Sequence, residues 1–268
     1  MNKEGTVAQM VQTAKDHLKE KEYKEALILL HKAYDICSED SQEAGTIAAA
    51  LGDLSAALGM DPEHTARYYR VAEATCRKTG NVKVLAELLL NKAEKHPEQK
   101  EADAWVEEAE QLCRNDNDRN GLCSTLILKG KRAAAHNQTE EALPILQEAF
   151  SLLDEEDDPD IRCSLLVTMG DLSYQLSRLQ EAAEYYLGAL RYSFQKHDLP
   201  ACLELDASLA QVYADMEDLK QAFSYVVLSR QHLGGMLEAD LDDRDMERVD
   251  AAMKRMKKAV DRILEEEA

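Results

Sequence analysis

The chain has 268 residues, with 52 Asp and Glu against 32 Lys and Arg and a formal net charge of −20 at pH 7. Aromatics make up 5% of it, there are only 11 Gly and 5 Pro, and 45% of residues are hydrophobic, which points to an all-α chain and excludes a disordered polymer. Such acidity repels a phosphate backbone at long range, so nucleic acid is not an expected partner. The opening MNKEGTVAQM carries no apolar signal core, and no window approaches the roughly 20 apolar residues that span a bilayer. A cytoplasmic location without a membrane span is therefore expected. The six Cys are too few for a disulfide scaffold in a chain this long and include no C-x2-C pair, so they are expected to be small buried apolar residues, and no metal is expected.

Self-similarity organises the chain. The first clear element, YKEALILLHKAYDI from Tyr23, places a small, a bulky and a small residue at Ala26, Leu30 and Ala33. Weaker copies follow at Thr65, Tyr69 and Ala72 and at Ala102, Val106 and Ala109. Strong copies return at Ala142, Leu146 and Ala149, at Ala182, Tyr186 and Ala189, and at Ala222, Val226 and Ser229. Ala102, Ala142, Ala182 and Ala222 are each 40 residues apart, as are Ala26 and Ala66. Twelve residues before each strong anchor stands another small residue, Ala14, Gly130, Gly170 or Ala210, and Gly52 plays that part in the second unit. A small residue there lets two helices of a hairpin approach closely. The phrase LGDLS at Leu51–Ser55 and its echo MGDLS at Met169–Ser173 mark this position.

The pattern predicts six helix-turn-helix units within residues 1–238, at about 7–40, 44–79, 83–115, 122–155, 162–197 and 201–235. Asp61 followed by Pro62 reads as a helix start, as does Thr139 ahead of Glu140 and Glu141. Pro97 is expected to end the first helix of the third unit early. DNDRNG at Asp116–Gly121 opens like a calcium loop, but its twelfth position is Ile127 where a bidentate carboxylate is required, so it reads as a turn. DEEDDPD at Asp154–Asp160 reads as a solvated loop between units. The remaining segment, 239–268, is one amphipathic helix with Met246, Val249, Met253, Met256, Val260 and Ile263 at steps of 3 and 4. It is expected to cap the array, with a dimer seam as the alternative.

These spacings resemble the tetratricopeptide repeat, best in Met169–Leu190 and Leu209–Ser229. The period of 40 resembles the longer-repeat branch found in kinesin light chains, the bacterial peptide-sensing Rap regulators and the maltose-regulator sensor domain. The resemblance implies a right-handed superhelical solenoid, all-α, whose first helices line a concave groove. With the 3.6-residue period, the groove-facing set then includes Lys15, Lys19, Asn91, Lys95 and Lys131 toward the start and Asp171, Tyr174, Gln175, Gln211 and Asp215 toward the end. The chaperone-tail carboxylate clamp of such proteins needs Asn where Lys15 and Lys131 stand. The backbone-holding Asn of the long-repeat peptide binders has a counterpart only in Asn91. No Ser–His–Asp or Cys–His arrangement and no phosphate loop emerges. The expected function is a non-enzymatic interaction scaffold, without cofactor, that binds a peptide or helical segment of a protein partner in the groove, as a monomer or a homodimer. The alternatives are a structural scaffold assembling through the C-terminal helix and a peptide- or small-ligand-sensing regulator.

Overall fold

In a computed structural model of the chain, residues 3–38, 40–96, 101–154, 158–236 and 242–266 are described. These residues form helices alone: α1 (Lys3–Lys19), α2 (Tyr23–Ile36), α3 (Gln42–Ala57), α4 (Pro62–Thr79), α5 (Val82–Lys95), α6 (Ala102–Asp116), α7 (Arg119–Ala135), α8 (Thr139–Ser151), α9 (Pro159–Gln175), α10 (Leu179–Gln195), α11 (Leu199–Asp215), α12 (Leu219–Met236) and α13 (Asp243–Glu266). The all-α helical-repeat class read from the sequence is the class observed. α1–α2, α3–α4, α5–α6, α9–α10 and α11–α12 each pack as a hairpin. The chain divides into two compact units, Met1–Leu128 and Lys129–Ala268.

The hairpin turns explain part of the period. Lys21, Asn137, Ser177 and Glu217 all have a left-handed backbone, with φ between 57° and 62°. Each lies five residues before the first small residue of its following helix, Ala26, Ala142, Ala182 or Ala222. One left-handed residue reverses the chain in a short loop and sets the second helix in the same register each time. Asn137, the first residue of an N-Q-T triplet, suits that backbone because Asn tolerates it better than most residues.

Helix starts follow the local chemistry. Ser41 accepts a hydrogen bond from the Ala44 amide at 3.1 Å. Asp61, before Pro62, caps α4, and Asp158, before Pro159, caps α9. Asp118 accepts from the Gly121 amide at 3.1 Å, so the calcium-like DNDRNG is a left-handed turn at Asn117 followed by the cap of α7. Thr139 departs from expectation. Gln138 holds the cap position without a side-chain bond, and the Thr139 hydroxyl donates to Gln175 Oε1 at 3.3 Å instead. α5 ends at Lys95 with His96 as its C-cap, while Pro97 lies outside the described residues. Residues 155–157 of the acidic stretch also lie outside them. Beside that stretch, the buried Arg162 guanidinium donates to the Leu153 and Asp154 carbonyls at 2.8 and 2.9 Å.

Each unit has its own core. In the first, Ala14, Leu30, Ile47 and Leu51 join the first two hairpins, and Leu89, Ala109 and Cys113 centre the third. In the second, Leu146, Leu165, Met169, Leu203 and Leu209 are fully buried. Each large side chain contributes about 1.5–3 kcal/mol by leaving water. Cys76, Cys113, Cys123 and Cys202 are buried. Burial holds the Cys76, Cys113 and Cys163 thiols above their ordinary pKa and pushes Cys202 up to about 11, so they stay protonated and inert.

Candidate functional site

The repeated Gly-Asp pair has a structural counterpart in both units. A Cβ added at Gly52 would lie 2.7 Å from the Tyr69 ring, and one at Gly170 would lie 2.6 Å from the Tyr186 ring. The next residue accepts the same tyrosine's hydroxyl, Tyr69 to Asp53 at 2.7 Å and Tyr186 to Asp171 at 2.6 Å. Ser55 and Ser173, which complete the two phrases, are fully buried. Glycine thus seats the ring and aspartate fixes its far end. Burial, reinforced by the carboxylate, raises the pKa of both hydroxyls, so each remains a donor.

In the first unit this tyrosine anchors a basic pocket. Lys95 Nζ sits 4.6 Å from the Tyr69 ring centroid and donates to its hydroxyl at 3.1 Å. Lys92 Nζ lies 4.3 Å from the Trp105 ring centroid and 3.4 Å from Glu73. Asn91, Lys92, Lys95 and Arg70 line an open pocket of about 200 Å³ between α4 and α5. Asn91 and Lys95 are therefore brought together. Lys15 lies in a separate cleft of about 350 Å³ between α1 and α3, and Lys19 is exposed at the end of α1, 3.5 Å from Asp16. At that same end His17, Glu20 and Glu22 place ligand-type atoms within 4.8 Å of one another, and the His17–Glu22 contact at 2.5 Å closes the turn.

In the second unit Lys131 is exposed on α7, while the other five residues picked from the sequence gather on α9 and α11. Asp215 is the hub. It accepts from the Tyr174 hydroxyl at 2.6 Å, from Gln211 Nε2 at 3.2 Å and from the Arg262 guanidinium. Burial and this carboxylate push Tyr174 up to about 12, which keeps it a donor at neutral pH. Asp171, Tyr174, Gln175 and Gln211 line a trough of about 490 Å³ whose remaining wall includes Arg255 and Lys258 of α13.

α13 was legible as a helix, but its placement was not. It packs chiefly on α11 and only lightly on α12. α11 itself does the reverse, packing on α10, the second helix of the hairpin before it, far more than on α9. α13 runs parallel to α11, because Arg248 pairs with Glu204 at 2.9 Å, Arg255 donates to Ser208 at 3.0 Å and Arg262 reaches Asp215. These arginines are seven residues apart, a spacing visible in the sequence that reading for apolar residues alone passes over. The face turned to α11 carries Ala252, Met256, Ala259 and Ile263, packed on Leu203, Ala207, Ala210 and Ala214. Of the seam expected from the sequence, Met256 and Ile263 are buried and Val249 and Val260 half-buried, whereas Met246 and Met253 are 49% and 45% exposed. Alanine lets the two helix axes come closer than methionine would.

Successive helical hairpins with a small residue at each close approach define the tetratricopeptide-repeat fold. Among solved structures the chain is similar to the pilF protein of Pseudomonas aeruginosa, with 21% identity over 88% of this chain and 96% of that one at a TM-score of 0.62. It is also similar to a signal transduction ATPase with numerous domains from Pyrococcus horikoshii that has a tetratricopeptide repeat sensor, with 16% identity over 98% of this chain and 44% of that one at a TM-score of 0.66. A third is the Rap conjugation gene regulator of plasmid pLS20 in complex with the Phr* peptide, with 13% identity over 93% of this chain and 73% of that one at a TM-score of 0.53. No protein-family model and no curated protein sequence matches the chain. No helix among the described residues is long and apolar enough to cross a membrane.

Proposed function

We propose that the chain is a non-enzymatic adaptor that binds a segment of a protein partner along the groove-side faces of its first helices. The observation that carries this reading is the trough of the second unit. Asp171, Tyr174, Gln175 and Gln211 on one wall face Arg255 and Lys258 on the other, so an extended or helical segment meets both signs of charge and has only one favourable direction. The Rap regulator's structure with a bound peptide supports the same use of the fold. The first unit offers separate basic positions suited to acidic groups, Asn91 and Lys95 in one pocket and Lys15 and Lys19 along α1, and in the second unit Lys131 is a further exposed basic residue.

The test is selection of displayed peptides against the intact chain. The selected ligands are expected to lose at least 10-fold in affinity on Gln175→Ala with Gln211→Ala, or on Lys15→Glu with Lys19→Glu, at unchanged helical content. Ligands indifferent to both pairs would overturn the reading. Assembly through α13 is a second reading, favoured by Met246, Met253 and Leu264, which are exposed on that helix. A dimer in sedimentation that Met246→Glu with Met253→Glu converts to a monomer would establish it, and a monomeric wild type would dismiss it.

A further inference from the structure

We infer that the groove-side face of α11 is a helix-binding site that α13 holds in cis, and that its partner is an amphipathic α-helix bearing arginines in the same pattern. This rests on the reading of the groove faces as protein-binding surfaces and specifies what one of them takes. The helical period turns Ala207, Ser208, Gln211, Ala214 and Asp215 toward the groove. On α11 the alanines of this set are 0% exposed and Ser208 is 7% exposed. On α9 the corresponding Val167, Thr168 and Tyr174 remain half-buried, and on α3 Asp53, Ala56 and Ala57 are exposed. The burial of the α11 set is the work of α13.

α13 does not take the place a next repeat would take, against α12. It lies where a ligand of the groove would lie. It engages α11 in two ways, both of which a free helix could copy. Small or flexible apolar residues at steps of 3 and 4, Ala252, Met256, Ala259 and Ile263, fill the alanine-lined surface. Arg248, Arg255 and Arg262, seven apart, meet Glu204, Ser208 and Asp215 in order. The parallel direction and the spacing together are the recognition pattern of a two-stranded coiled coil, in which charges beside the seam select partner and orientation. α11 contributes the acids of that pair, Glu204 and Asp215, and α13 the arginines. A partner helix with the same seam and the same arginines competes for the same acids, and its binding releases α13.

The probe is a fluorescein-labelled synthetic peptide of residues 242–268. The full chain carrying Arg248→Glu, Arg255→Glu and Arg262→Glu has a weakened resident helix and an intact α11. It is expected to bind the probe at least 10-fold more tightly than the wild-type chain, and a probe with the same three changes is expected to bind neither. No gain of binding by a variant that keeps its helical content overturns the proposal, as does exchange of α13 between two copies, read as a dimer in sedimentation. Should the variant fail to fold, hydrogen exchange of the unaltered chain decides. α13 amides exchanging at least 10-fold faster than those of α11 and α12 support release, and a common rate for all three overturns it. Neither measurement uses the selected peptides of the adaptor test, so a failure of this inference is distinguishable from a failure of the adaptor reading.

Discussion

Gly52 and Gly170 each carry a tyrosine ring where a side chain would be. Tyr186 is only 3% exposed, and its hydroxyl is held by Asp171, so the ring has nowhere to retreat. Gly170→Ala is expected to lower stability by about 2 kcal/mol, within the range for forcing atoms into a packed site. Gly234→Ala provides the contrast. Nothing lies within 4 Å of its added Cβ, so the change should stabilise α12 by up to about 1 kcal/mol through helix propensity alone. Urea titration of the two variants checks both signs. Asp206 is a different kind of buried residue. It is 0% exposed, its Oδ2 is 2.6 Å from His232 Nδ1, and its Oδ1 has no partner among the described residues. Burial, only partly offset by His232, pushes its pKa up to about 6. A carboxyl raised in the folded state favours folding most when protonated. Its contribution is therefore full below about pH 4, the unfolded value, and is lost as pH rises through about 6. Asp206→Asn removes this dependence. Its stability relative to wild type should become more favourable by about 1.4 kcal/mol between pH 5 and pH 8, and equal shifts at both pH values would refute the assignment.

At the scale of elements, α13 separates an apolar residue from one that is used. Ala252 is buried against α11, whereas Met253, one position on, is half in solvent. Ala252→Leu should push the two helices apart and cost about 1–3 kcal/mol. Met253→Ser should stay within about 0.5 kcal/mol of wild type, as surface changes do. Equal effects in thermal unfolding would place Met253 in the seam as well. The same helix shows where the sequence is readable and where it stops. Helices and turns are legible because a 40-residue period repeats small residues at contact points, and Ala142, Ala182 and Ala222 are all fully buried in equivalent helices. The gathering of Tyr174, Gln211 and Asp215 also followed from the helical period. The role of Asp171 did not, because its partner Tyr186 lies on the other helix of the hairpin and the spacing between the two carries no local signal. The placement of α13 was equally hidden. Two apolar stripes run side by side on it, and periodicity alone gives neither the one that is buried nor the helix that buries it.

For the whole chain, the repeat architecture makes stability local. Each hairpin touches chiefly its neighbours, so a lesion in one is felt less with distance along the array. The sequence supplies a probe for this, since its single Trp, Trp105, lies on α6 in the unit Met1–Leu128. Fluorescence excited at 295 nm therefore reports that unit, and far-UV circular dichroism reports all the helices. Gly52→Ala, also in that unit, is expected to shift the fluorescence transition in urea to lower concentration. Gly170→Ala, in the unit Lys129–Ala268, should shift the dichroism curve while leaving the fluorescence midpoint equivalent to within about 0.5 kcal/mol, the tolerance for independent sites. Two curves that move together for both variants would mean that the hairpins melt as one cooperative body. Substitutions in α11 and α13 could then no longer be expected to act without disturbing the basic pocket at Asn91 and Lys95.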